Sequence, residues 1–437
     1  MISQAIFILV LAAAIALFTK NVRKIRRNIN LGRPLNRTDH PAKRWSTMFM
    51  VAIGQGKIVK RPFAGILHVL VYAGFIIINI EVLEIIIDGV AGTHRVFSFL
   101  GGFYTFLISA FECLAVGVIL ACAIFIIRRA FHYVKRFWNR EMTAWPRTDA
   151  YIILIAEILL MCAFLTLDAC DTMMIQKHFN GLYAGFPVSN MLLYGTLSGS
   201  SFHTLSFIER FCWWFHIVGI LAFLNYIPYS KHFHIVLAFP NVYYSNLNPK
   251  GEFTNLASVT KEIKLMLEPN TVAESQPERG TATPERFGAK DVFDLTWKQL
   301  MDAYSCTECG RCTSSCPANQ TGKLLSPRKI MMDTRDRLEE VGKNVKQNGK
   351  FVDDGKSLLN DYIKAEELWA CTSCNACVEE CPVNIDPLSI IVDMRRFLVM
   401  EQSAAPQELA LMFNNVENNG APWQFPASDR LNWAVSV

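Results

Sequence analysis

Eight of the thirteen cysteines fall in two runs of identical spacing. The first is Cys306, Cys309, Cys312 and Cys316, followed by Pro317. The second is Cys371, Cys374, Cys377 and Cys381, followed by Pro382. Each run reads C-x2-C-x2-C-x3-C-P, a spacing that holds paired [4Fe–4S] clusters, with the fourth cysteine of one run ligating the other cluster. A tight turn supplies three thiolates, and the fourth arrives from elsewhere. The expected sets are therefore Cys306, Cys309, Cys312 and Cys381 for one cluster, and Cys371, Cys374, Cys377 and Cys316 for the other. The chemistry is one-electron transfer. Structural zinc pairs two C-x2-C units without a further cysteine three residues on, and disulfides need an oxidising compartment. Cys113, Cys122, Cys162, Cys170 and Cys212 lie in or beside apolar segments and read as small buried residues.

The remaining elements must hold those cysteines where thiols stay reduced. Of 437 residues, 51% are hydrophobic and only 19% charged, and the apolar excess lies before residue 240. Five segments, roughly 2–19, 63–87, 103–127, 150–170 and 206–229, are long enough to cross a bilayer, which takes about 20 apolar residues. Lys and Arg set the expected orientation. Residues 20–61 carry twelve and residues 128–149 carry six, whereas 88–102 and 170–202 have only Arg95 and Lys177. The basic loops belong inside. The N-terminus is then outside, and everything after residue 230 is in the cytoplasm, at an inner (cytoplasmic) membrane. There thiols stay reduced. The net charge of +5 is unevenly spread and does not point to nucleic acid.

Ionisable residues inside spans are functional candidates. His68 lies near the start of the second span and His216 in the middle of the fifth, and His234 follows the fifth. Bundle cores hold cofactors between facing helices, and paired imidazoles hold haem iron. His216 and His234 are up to about 27 Å apart along a straight helix, so they serve different levels. His232 is the rival to His234. Glu81, Glu112 and Glu157 are the carboxylates best placed to accept a quinol proton, and Glu84 and Asp88 fit the outer surface equally well.

The second span, with Arg61-Pro62, Gly65, His68 and Gly74, and the fifth, with His216, Pro228, Ser230-Lys231 and His234, resemble the cytochrome b subunit of respiratory nitrate reductase and of membrane-bound heterodisulfide reductase. In that family four histidines on these two helices bind two haems b. Three positions match here, and the fourth is Ile78. The resemblance implies one haem b between His68 and His234. It leaves His216 as a second cofactor-binding candidate without a histidine partner. Cys306-Thr-Glu-Cys-Gly-Arg-Cys, Trp369-Ala-Cys371-Thr-Ser-Cys and Cys381-Pro-Val-Asn-Ile-Asp-Pro are similar to the two-cluster subunit of heterodisulfide reductase and to glycolate oxidase iron–sulfur proteins. In those families a soluble, cysteine-rich partner with CCG repeats performs the terminal chemistry. This chain has no such repeat and no flavin or nucleotide fingerprint.

Helical patterns flank both runs, with Ser326-Pro327 and Asp386-Pro387 as helix starts. The expected architecture is all-α. A five-helix transmembrane bundle over 1–240, similar to the nitrate reductase gamma subunit, is followed by a linker over 241–289. A helical dicluster domain spans 290–437, and its polar tail is a docking candidate. The expected role is electron relay between the quinone pool (menaquinone or ubiquinone), haem b, two [4Fe–4S] clusters and a soluble partner. A redox-sensing or transport protein with a regulatory iron–sulfur domain is the alternative.

Overall fold

The computed structural model describes residues 2–131, 134–178, 186–267 and 286–435, and among them it has no β-strand. Among the described residues five helices are long and apolar enough to cross a membrane: α1 (Ile2–Ile29), α2 (Pro62–Ala91), α3 (Gly102–Ala130), α4 (Ala144–His178) and α5 (Phe202–Tyr226). They make this a multi-pass membrane protein. Their ends follow local chemistry. Pro62 opens α2, where its missing N–H costs nothing. The Ser201 hydroxyl caps α5 by accepting the Thr204 amide at 3.2 Å. Gly92 closes α2 with φ +74°, a conformation that favours glycine.

Beyond α5 the chain turns through Ile227–Phe233 into α6 (His234–Tyr243). The cluster region is built on α7 (Trp297–Ser305), α8 (Pro327–Asn348) and α9 (Pro387–Met400), followed by α10 (Gln407–Asn419). Both expected helix starts are capped: Ser326 accepts from the Lys329 amide, and Asp386 from the Ser389 amide at 3.0 Å. Leu300, Ile330, Leu338, Ile390 and Met394 form the core of this region at 0% exposure. Ile25 and Ile29 of α1, with Ile227, Phe233 and Leu237, are buried in that same core. The first helix, at 28 residues, overruns a bilayer and lays its last turns against α7 and α8. There Lys24 pairs with Glu339 at 2.8 Å, and Asn28 donates to the Tyr304 hydroxyl at 2.9 Å.

Part of the expected linker, 268–285, lies outside the described residues. Its flanks are packed: Asn241 and Ala289 are at 0% exposure, and Asn241 donates to the Val383 carbonyl at 2.9 Å. A short helix, Pro187–Leu197, stands where the pattern suggested only a loop.

Candidate metal centres

Each cysteine run folds as a turn of the same shape. Glu308 and Gly310 have φ of +55° and +69°; the equivalent Ser373 and Asn375 have +56° and +59°. Left-handed residues alternating with ordinary ones turn successive amides inward and form an anion-binding nest. Glycine is needed in the first run, because a Cβ on residue 310 would sit 2.5 Å from the Arg328 guanidinium. Amides already reach sulfur: Ser373 N–H points at Cys371 Sγ at 3.4 Å, and Ile385 N–H at Cys381 Sγ at 3.3 Å.

The runs interleave. One small pocket is lined by Cys306, Cys309, Cys312 and Cys381, with Cys377 also on its wall. Cys316 and Cys371 lie outside that lining, Cys316 buried in the core of the domain and Cys371 packed against it. Burial pushes the Cys306 thiol up to about 11 and the Cys381 thiol up to about 12. Such groups are thiols unless a metal displaces the proton. Eight cysteines on two amide nests fit a pair of anionic iron–sulfur clusters.

The histidines meet at the cluster-facing end of the bundle. The His68 and His234 ring centroids are 6.5 Å apart, inclined at 45°. Two imidazoles sharing one metal at about 2 Å per N–metal bond put their centroids about 6.3 Å apart. The His234 Nδ1 lies 3.1 Å from the Lys231 carbonyl, which can only accept, so Nδ1 carries the proton and Nε2 keeps its lone pair. The His68 Nδ1 is buried and has no hydrogen-bond partner among the described residues. These features fit a bis-imidazole metal site. The ring of His232 is 5.5 Å from that of His234, and its Nε2 is 4.0 Å from Glu157 Oε1. Burial, then the neighbouring imidazoles, pushes His232 down to about 3, and burial lowers His234 too. His216 is elsewhere. It is 2% exposed, with Nδ1 2.9 Å from the Leu160 carbonyl and the Phe164 ring 6.2 Å away.

The carboxylates divide. Glu112 accepts the Val188 and Ser189 amides at 3.1 and 3.0 Å, capping Pro187–Leu197. Glu81, Glu84 and Asp88 are all buried around Arg95, which donates to Asp168 and Asp171 at 2.5 and 2.7 Å. Burial disfavours the Arg95 charge, yet Asp168 and Asp171 hold it well above its ordinary value. Sequence reasoning treated Arg95 as a loop residue and left Glu84 and Asp88 open to the surface; the cluster buries Glu84 and Asp88 against a half-buried Arg95. It also passed over Glu308, between Cys306 and Cys309, which pairs with Lys231 at 2.7 Å and Arg335 at 2.8 Å. Burial alone would raise the Glu308 carboxyl, but Arg335 and Lys231 hold it below the usual carboxylate range. An acidic residue inside a cysteine run was the available signal.

Fold and site together define a five-helix membrane protein carrying a helical two-cluster iron–sulfur domain. Residues 302–385 match the 4Fe-4S dicluster domain family. Over 98% of its length the chain is 28% identical to the probable iron-sulfur-binding oxidoreductase FadF of Bacillus subtilis (strain 168), covering 60% of that protein. It is 26% identical over 91% of its length to the EtfAB:quinone oxidoreductase of Syntrophomonas wolfei subsp. wolfei, covering 55% of it. One subunit of the ferredoxin/F(420)H(2)-dependent CoB-CoM heterodisulfide reductase of Methanosarcina acetivorans is 32% identical over 27% of this chain and 60% of its own length. The chain thus spans little more than half of the two long relatives. These relatives are iron–sulfur oxidoreductases and a heterodisulfide reductase subunit, and the chain fits a membrane-fused protein of that heterodisulfide reductase type. No solved structure matches.

Proposed function

We propose that the chain is a membrane electron-transfer module linking the quinone pool to a soluble oxidoreductase. The carrying observation is that the His68–His234 pair and the first cysteine run occur on the elements where bundle and iron–sulfur domain meet. Haem b and two [4Fe–4S] clusters, when bound, each carry single electrons. His68 and His234 hold the haem. Cys306, Cys309, Cys312 and Cys381 hold the nearer cluster, and Cys371, Cys374, Cys377 and Cys316 the farther one. The name of the Syntrophomonas relative supports quinone as the membrane substrate. The basic loops support a cytoplasmic iron–sulfur domain in an inner membrane.

The soluble partner is a cysteine-rich iron–sulfur protein of the heterodisulfide reductase kind, a reading that rests on the Methanosarcina relative. The tail after residue 400 is its docking segment, where α10 and the stretch beyond it leave Leu411, Trp423, Phe425 and Trp433 at least half exposed. The test is a reduced-minus-oxidised spectrum with iron analysis of the purified full chain. A b-type band and roughly eight non-haem irons per chain are expected. Zinc in place of iron, or no b-type band, refutes the respective centre. Quinol added to the oxidised protein reduces that band if the substrate assignment holds.

A further inference from the structure

The residues between the cysteines do more than space them. In the first run, Cys306-Thr-Glu-Cys-Gly-Arg-Cys, both charged residues face the bundle. Arg311 donates to the Lys57 and Ile58 carbonyls at 3.0 and 3.3 Å, just before α2 and its His68. Gly65 allows that approach, since a Cβ there would lie 2.9 Å from the Ile58 carbonyl oxygen. In the second run, Glu380 pairs with Arg61 at 2.9 Å. The segment leading into α2 and His68 is therefore gripped by both loops that carry the cysteines.

One contact is more direct than the others. The Lys231 carbonyl accepts the His234 Nδ1–H at 3.1 Å, and the Lys231 ammonium reaches Glu308 Oε2 at 2.7 Å. Its amide donates to Asp149 Oδ2 at 3.1 Å, and its ammonium also donates to the Pro146 carbonyl at 2.5 Å, both at the start of α4. Glu308 is 4% exposed and is gripped on its second oxygen by Arg335. One residue thus joins the imidazole to the turn between Cys306 and Cys309 through two hydrogen bonds, and its contacts with α4, α6 and that turn fix its position.

We propose that Lys231 and Glu308 are positioning residues for electron hand-over between the His68–His234 site and the Cys306/Cys309/Cys312/Cys381 site. The proposal rests on the haem and cluster assignments made above. With a haem held by His68 and His234 and a cluster held by Cys306, Cys309, Cys312 and Cys381, one electron would pass from the reduced cluster to the oxidised haem, and the Lys231–Glu308 pair would take no part in the redox change. The pair sets the separation and orientation of the two centres and is one bonded route between them. Lys24–Glu339 is a second, more exposed lysine–glutamate pair between bundle and domain, formed by α1 and α8 rather than by the histidine-bearing elements. It serves as the control.

The experiment uses the full chain in lipid nanodiscs, with haem and iron counted first. Clusters are reduced with dithionite, and haem reduction is followed by stopped-flow absorbance at the b-type band. In Lys231→Met and Glu308→Gln, cofactor content stays at the wild-type level and the haem-reduction rate falls at least about tenfold, the scale expected when a buried coupled pair no longer seats two parts. Lys231→Arg and the exchanged pair Lys231→Glu with Glu308→Lys recover most of the rate. Lys24→Met leaves it unchanged. A wild-type rate in Lys231→Met with full cofactor content overturns the proposal, as does an equal loss in Lys24→Met. If Lys231→Met loses its cofactors, the exchanged pair decides: cofactors regained with a wild-type rate support the proposal, and cofactors regained without the rate overturn it. A wild-type protein that shows no b-type band refutes the haem reading itself, an outcome separable from all of these.

Discussion

Replacing Cys381 by alanine separates crossed from uncrossed ligation. Cys381 is adjacent in sequence to the second-run thiols but lines the cavity of Cys306, Cys309 and Cys312. Cys316 is absent from that lining. If ligation follows space, Cys381→Ala leaves three thiolates at the first-run site and four at the second. About half of the roughly eight irons are then at risk, and the loss falls on the cluster next to His234. Cys316→Ala costs a similar amount of iron from the far cluster and leaves the near one complete. Iron analysis alone cannot tell the variants apart, but electron paramagnetic resonance combined with haem-reduction kinetics can. In Cys381→Ala the surviving cluster gives one clean reduced signal, and rapid haem reduction by dithionite-reduced protein is lost. In Cys316→Ala that rapid phase persists. The reverse outcome, with fast haem reduction kept in Cys381→Ala and lost in Cys316→Ala, would refute the crossed assignment.

His68→Ala and His234→Ala abolish the b-type band while His232→Ala retains it, measured by pyridine haemochrome assay of purified protein. Arg95→Met strips the cation from buried Asp168 and Asp171 and destabilises the bundle by about 3–5 kcal/mol, read as a lower melting temperature at unchanged iron content. Glu141, in the loop before α4, grips Arg328 at 2.6 Å; burial raises its carboxyl, but Arg328 and Ser326 hold it below the usual range. Its contribution is therefore present above about pH 4.5 and is lost as pH falls below that value. Glu141→Gln costs about 1–3 kcal/mol at pH 7 and flattens the acid limb of a denaturant-midpoint profile.

What could be read in the sequence was local. The five spans, the helices begun by Ser326-Pro327 and Asp386-Pro387, and the spacing of the two runs each depend on residues within one turn or one stretch of neighbours. That the His68 and His234 rings approach each other was expected from the resemblance and from the expected topology, because nothing local says which imidazole faces which. Long-range polar contacts were not legible at all. Glu308 and Lys231 are 77 residues apart, and Arg95 meets Asp168 across 73. Glu112 looked like a proton acceptor because a lone acid in a span is costly; its partners are backbone amides, which a side-chain pattern cannot reveal. Ile78, at the position where the resemblance asks for a fourth histidine, is 4% exposed and packs in the apolar core shared by α3 and α4.

The bundle and the iron–sulfur domain divide two tasks between different forces. Ile25, Ile29, Ile227, Phe233 and Leu237 leave the bundle and are buried in the domain core at 2–8% exposure. At about 1.5–3 kcal/mol for each large side chain, these five contribute roughly 7–15 kcal/mol as an upper bound. Exposed ion pairs such as Lys60–Glu379 add about 0–1 kcal/mol each. Apolar burial therefore holds the domain on the membrane, but it is non-directional and would tolerate small shifts in seating. Register has to come from contacts with defined geometry: Arg311 on two carbonyls, Arg61 on Glu380, and Lys231 between His234 and Glu308. A mutation in the apolar set should then release the domain. A mutation in the polar set should leave it attached with its irons in place while misplacing the two centres, and electron transfer should fail before stability does.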